Sequence, residues 1–433
     1  MDERTPTAFE GAWPPEMPEQ PPFSATRREC FGALLMYVLA YVYTNLLFGA
    51  GTVSCEVWLS IFTLGFAGLT EFLHWGEART RESWVWLACT AVILAGTVTG
   101  RCRVWDYGQS VLFLHIFAVY WAVSRSGRLL EGESSHLLPL DGLFAFVAFP
   151  FGNFFLRIRC IFFGLRSLRP EKRRLRGDVI FAIIAASLLT LGLLGRTVQL
   201  LSDADTGFAE LSARFTDLFR FRWDGDLFAR FLLSLPVGAY LFGLLAGSRR
   251  LKPETRQSRA GAIQRGLEKL RRIPNVFWCA VGGVFTAVYL AFFFLQGSYL
   301  FGAFTRTLPE GFIVSEYARQ GFFELCKVSG INFFLLWLIT RTSEAPVRQR
   351  PAALWICALL LVQNALFAVI ALSKLGLYIS CFGFTPLRLQ STWLACVLLA
   401  GCGCSLYTLL TGRKSLRGWM MFGALSLALL HLY

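Results

Sequence analysis

The densest run of ionisable residues in this apolar chain is Ser315-Glu316-Tyr317-Ala318-Arg319-Gln320-Gly321-Phe322-Phe323-Glu324-Leu325-Cys326-Lys327. On a helix, Glu316, Gln320, Glu324 and Lys327 share one face with Arg319 beside them, and the spacing lets Glu316 pair with Arg319 and Glu324 with Lys327. An isolated charge at mid-membrane costs about 2.5–3.5 kcal/mol, so a group of them implies mutual pairing, a wet cavity or snorkelling to the surface. Further on, Lys374, Tyr378 one turn later, and Arg388 beyond the turn Gly383-Phe384-Thr385-Pro386 reach the same side. The expected site is an outward-facing polar cavity lined by Glu316, Arg319, Glu324, Lys327, Lys374, Tyr378 and Arg388, recognising an anionic or zwitterionic solute or lipid headgroup. Interfacial anchoring by Lys, Arg and Tyr would use the same residues, and both readings stay open.

Weaker candidates are Glu71 and His74, near the end of the second apolar block, and His115 inside the fourth. Two histidines on different spans could hold haem or a metal or relay protons, yet no third ligand stands at useful spacing, so neither metal nor cofactor is expected. The twelve cysteines form no Cys-x-x-Cys pair and read as small buried hydrophobes. His-Glu-x-x-His, Gly-x-Ser-x-Gly and Gly-x-x-x-x-Gly-Lys are all missing. Enzymatic function is therefore not the leading expectation; a buried acyltransferase using His115 is the form it would take.

These residues need helices that cross a bilayer. Hydrophobic residues make up 55% of the chain and charged ones only 16%, against about 25% charged in soluble domains. The apolar residues gather in blocks of about 17 to 25, the length that crosses a hydrocarbon core. Eleven such blocks are predicted as transmembrane helices: Phe31 to Ala50, Ser54 to His74, Trp84 to Gly100, Asp106 to Val123, Asp178 to Gln199, Leu227 to Gly247, Asn275 to Leu300, Phe322 to Ile339, Ala352 to Leu375, Thr392 to Leu410 and Leu416 to Leu432. The predicted fold is an all-α polytopic membrane bundle.

Charge sets its orientation. The net charge is +14, but roughly 30 of the 42 Lys and Arg fall on one side of this arrangement, which reads as positive-inside topology with a cytoplasmic amino terminus and not as nucleic-acid binding. The basic loops are Arg125 to Arg176, Arg249 to Arg272, Arg341 to Arg350 and Arg413 to Arg417, with anionic lipid headgroups as their expected partner. Leu140 to Ile161 is apolar enough to span, but crossing would carry the cluster Arg166 to Arg176 outside. It therefore reads as re-entrant or interfacial, continuing into an interface helix from Ile158 to Leu168. Residues 124–177 and 248–274 are thus basic cytoplasmic segments. Within the second, Lys252 to Arg272 reads as a solvated, lipid-facing loop, with an amphipathic helix on Ile263, Leu267 and Leu270 as the alternative. Residues 200–226 carry an outer amphipathic helix on Phe208, Leu211, Phe215, Leu218 and Phe219. Residues 1–26, Pro-rich and poor in apolar content, read as a disordered tail able to dock a protein partner, leaving 27–433 as one membrane domain.

The stretch Glu316 to Leu325, with Lys374-Leu375-Gly376-Leu377-Tyr378-Ile379-Ser380 and Gly383-Phe384-Thr385-Pro386-Leu387-Arg388, resembles the bacterial multi-pass family known as domain of unknown function 4173, related to 4153. The motifs cover roughly the last third of the chain; upstream the likeness lies in hydropathy and basic loops. The resemblance implies a bacterial cytoplasmic-membrane location and brings no reaction, substrate or catalytic residue with it. A transporter or permease-like function leads; a signalling or assembly subunit and a lipid-modifying enzyme are the alternatives.

Overall fold

The computed structural model describes residues 23–48, 54–125, 127–167, 225–295 and 314–433, the side chains of 225–227 and 314–321 excepted. The helices are α1 (Arg27–Phe48), α2 (Cys55–Leu73), α3 (Arg81–Val98), α4 (Tyr107–Arg125), α5 (Leu138–Leu143), α6 (Phe149–Gly152), α7 (Leu156–Ser167), α8 (Gly225–Arg250), α9 (Pro253–Glu268), α10 (Asn275–Leu295), α11 (Val314–Thr342), α12 (Pro351–Phe382), α13 (Pro386–Thr411) and α14 (Leu416–Leu430). A π-helical turn, Phe144–Ala148, joins α5 to α6. The molecule is an all-α polytopic bundle.

Among the described residues eight helices are long and apolar enough to cross a membrane: α1, α2, α4, α8, α10, α11, α12 and α13. Each coincides with an expected span. The other three expected spans fare differently. Trp84 to Gly100 folds as α3, which starts on the charged pair Arg81-Glu82 and is not among the eight. Leu416 to Leu432 becomes the shorter apolar helix α14. Asp178 to Gln199 lies outside the described residues, as do the outer helix around Phe208 to Phe219 and the tail up to residue 22.

The helices pack into two bundles with separate apolar cores. The first joins α1 to α4, α7 and α8 around Met36, Leu59, Phe66, Ile93, Trp121 and Phe242. The second joins α10 to α13 around Leu336, Ile339, Leu360, Phe367 and Ile370. In α14, Ala424, Leu427 and Ala428 enter the first core, while Trp419 Nε1 donates to the Val397 carbonyl of α13 at 2.8 Å, so this helix ties the bundles together. Its closest approach is at Gly96 of α3, where a Cβ would collide with the carbonyl oxygen of His431; only a residue without a side chain lets the backbones meet there.

Leu138–Gly152 and Leu156–Ser167 form a pair bent by 46°. At its start Asp141 Oδ1 accepts from Leu130 N at 2.7 Å; at its end Phe163 packs edge-on to Phe23, and a Cβ on Gly164 would touch Cys30. Leu130, Phe23 and Cys30 all belong to the basic end of the molecule, so both ends of the bent pair meet that end. Lys252 to Arg272 departs from the loop expected of it: Pro253–Glu268 is helical, begun by Pro at its first turn with Glu254 against the positive end of the helix dipole. Its solvated surface resembles a loop by composition, yet its spacing permits a helix.

Candidate functional site

Three polar sites follow from this packing, one at the basic end, one inside the second bundle and one at the outer end.

At the basic end, acidic residues in the first or last turns of early helices meet arginines from later segments. Glu29 of α1, buried, takes a bidentate pair from Arg250 at 2.9 Å to each oxygen, while Arg249 bridges Glu77 at 2.7 Å. Glu71 accepts from Arg125 Nε at 3.2 Å and pairs with Arg79. Glu82, also buried, accepts from Trp86 Nε1 at 2.8 Å and Ser134 N at 3.0 Å, and lies 3.3 Å from Arg417, which also pairs with Glu133. Each carboxylate receives enough donors to offset its burial. Beside this network lies a polar basin of about 940 Å³ between Leu130–His136, α9, the end of α11 and the α13–α14 link. Beneath it an apolar cavity of about 450 Å³ runs between α11, α12, α13 and α14, lined by Phe333, Trp337, Leu361 and Trp419 among others. His136, Arg341, Thr408, Ser415 and Leu416 line both. His136 stands outside the spans; burial and then the positive charge of Arg341 hold its imidazole below its ordinary value, with Lys414 adding to this and Glu131 opposing it.

Inside the second bundle a chain of buried polar groups crosses four helices. Tyr289 Oη of α10 donates to Asn332 Oδ1 of α11 at 2.8 Å; Asn332 Nδ2 donates to Asn364 Oδ1 of α12 at 3.3 Å; Asn364 Nδ2 donates to Cys402 Sγ of α13 at 3.3 Å. Neighbouring Gln363 donates to the Thr286 carbonyl at 3.1 Å. Asn332 and Asn364 are wholly buried. At 1.5 Å per residue, Lys374 lies about 15 Å farther along α12 towards the outer end, also wholly buried and within electrostatic reach of Glu324.

The expected outer residues are thus placed as follows. Arg388 stacks 4.1 Å over the Tyr378 ring and donates to the Phe382 carbonyl at 2.9 Å, which closes the turn into α13. Glu324 and Lys327 are exposed on α11. Glu316 and Arg319 fall on the first turns of α11, their side chains outside the description. Of the seven, Tyr378 and Arg388 are brought into contact, and Glu324 lies within electrostatic reach of Lys374. Among the weaker candidates, Glu71 joins the arginine network, His74 Nδ1 bonds the Thr70 carbonyl at 2.8 Å, and His115 Nδ1 bonds the Val111 carbonyl at 2.6 Å with its ring against Tyr43 and Phe62. Both histidines are accommodated by their own helices. Among the described residues no group of three or more His, Cys, Asp or Glu is assembled to hold a metal ion.

Sequence reasoning missed Asn332, Asn364 and Gln363, although each stands out as an amide in an apolar run. It also missed the basin, whose lining comes from segments nearly 300 residues apart and carries no local signature.

No curated protein and no solved structure matches the chain. The family model described as Domain of unknown function (DUF4153) matches residues 85–433, from α3 to the last helix. This is the relative of the family that the motifs resembled and not 4173 itself. With the match covering most of the sequence, the chain belongs to the DUF4153 family.

Proposed function

We propose that this multi-pass membrane protein is a permease whose solute path runs through the second bundle. The observation that carries the reading is the buried chain Tyr289–Asn332–Asn364–Cys402, which places amides from facing helices at the centre of an apolar bundle. Amides there are costly unless satisfied by one another or by a passing ligand. Polar groups and open space follow one another along α12. The basin and cavity lie at its basic end and the amide chain at its middle; Lys374 with Glu324, then Tyr378 with Arg388, stand towards its outer end. The cationic groups at both ends favour an anionic or zwitterionic solute, and the basic loops favour a cytoplasmic-membrane setting with the amino terminus inside. The test is uptake into sealed proteoliposomes of a panel of small anions, with inorganic phosphate and glutamate among them. Uptake of at least one above protein-free vesicles, abolished by Glu324→Gln in protein that still purifies as a monodisperse species, is the expected result. Uptake unaltered by Glu324→Gln and Asn364→Leu would place any flux elsewhere.

A further inference from the structure

Two cavities of opposite character meet at the basic end, and the residues they share lie at the junction. The upper basin is walled by charged and hydroxyl side chains; the lower cavity is walled by Phe333, Trp337, Leu361 and Trp419 and extends between the helices. The basin's cations are not equally engaged. Arg417 is held by Glu82 and Glu133, and Arg256 by the Gly127 carbonyl. Arg341 and Lys414, by contrast, have no carboxylate within 4 Å among the described residues. The acidic charge that acts on both is that of Glu131, already shared with Gln264 at 2.9 Å and His136 at 3.8 Å. Positive charge is in excess where the polar and apolar spaces join.

We propose that this junction binds an anionic phospholipid from the leaflet on the basic side, its phosphate between Arg341 and Lys414 and an acyl chain in the cavity beneath. A phosphate takes charge-assisted hydrogen bonds from an arginine fork and from lysine. The apolar cavity explains why the ligand is an amphiphile: a free anion would leave it unfilled, and a neutral apolar molecule would leave the excess charge unanswered. Tryptophans at such a depth are suited to the boundary between headgroup and chain. The site does not depend on transport, because binding without flux would leave it standing and flux without lipid binding would not rescue it.

The full-length protein, purified in detergent, is incubated with palmitoyl-oleoyl phosphatidylglycerol or the matching phosphatidylcholine, and bound lipid is read by native mass spectrometry. Phosphatidylglycerol is expected to bind about tenfold tighter, the scale of one charge-assisted contact. Arg341→Gln with Lys414→Gln should abolish that preference, while Arg413→Gln, an exposed arginine outside the basin lining, should keep it. Leu416→Trp, which narrows the junction, should weaken the long-chain lipid more than dihexanoyl phosphatidylglycerol. Equal retention of the two lipids, or a preference that survives the double substitution, would overturn the proposal. Full displacement by millimolar inorganic phosphate would also overturn it, by showing that the site reads an anion without a chain. Should the double variant fail to fold, chain-brominated phosphatidylglycerol added to the wild type must quench tryptophan fluorescence more than brominated phosphatidylcholine; equal quenching would count against the site.

Discussion

Asn364→Leu separates a structural role for the buried polar chain from a functional one. Asn364 makes two interhelical bonds, one from Asn332 at 3.3 Å, at the long end of the range for an oxygen acceptor, and one to the Cys402 sulfur at 3.3 Å. Interhelical hydrogen bonds inside membrane proteins average about 0.6 kcal/mol each, so losing both costs about 1 kcal/mol, and leucine keeps the branching of asparagine with a somewhat larger side chain. Asn332 Oδ1 keeps its bond from Tyr289, while its buried Nδ2 loses the acceptor on Asn364, which adds about 1 kcal/mol. Reversible unfolding of the protein in mixed detergent micelles or bicelles, followed by far-ultraviolet circular dichroism, should show a loss of about 2 kcal/mol. Under the permease reading, flux in vesicles should fall at least tenfold beyond that small effect. A loss above about 3 kcal/mol, with flux falling only in proportion to folded protein, would refute the reasoning and make the chain a structural clasp.

Glu29→Gln removes the charge that the Arg250 fork clasps, and because Glu29 is buried the loss should approach about 3 kcal/mol, read as a lowered unfolding midpoint; Glu254→Gln, on exposed α9, should change little. Gly96→Val forces apart α3 and the end of α14, so protein yield and the unfolding midpoint should fall with it, whereas Gly68→Ala, with open space around it, should be tolerated. The depressed His136 has a worked sign. It is neutral at pH 7 in the fold, while the unfolded histidine protonates near pH 6.5, so stability falls as pH drops below about 6.5 and His136→Gln should flatten that slope. A bound lipid phosphate would offset Arg341 and Lys414, raise the His136 value and tighten phosphatidylglycerol binding between pH 7 and 6; pH-independent binding would count against it.

Much of the architecture could be read without coordinates, because block hydropathy reports a physical requirement of the bilayer. Eight expected spans match eight long apolar helices. Attention to charge also misled. The cluster around Glu316 to Lys327 drew the candidate site outward, while Glu29 and Glu82, each an acid in the first turn of a helix, looked like ordinary partners of the helix dipole. Their burial, and the arginines at positions 250 and 417 that accompany it, depends on how distant helices end beside one another. The cavity junction is harder still to see, since Glu131, Arg341 and Lys414 meet only through the packing of α11, α13 and the loop before α5.

The most direct measurement for the permease reading is the accessibility of Cys402, the sulfur that ends the polar chain at 2% exposure. Proteoliposomes holding the full chain are treated from either side with a small charged, membrane-impermeant methanethiosulfonate, and each cysteine is followed by peptide mass spectrometry. Cys381, exposed at the outer end of α12, marks the fast limit, and Cys89 and Cys160, buried in the first bundle, mark the slow one. A path that opens alternately predicts that Cys402 reacts from both sides, more slowly than Cys381 but clearly faster than Cys89 and Cys160, and faster still in Asn364→Leu if that bond holds the path closed. Cys402 as protected as Cys160 from both sides would contradict a solute path through the second bundle.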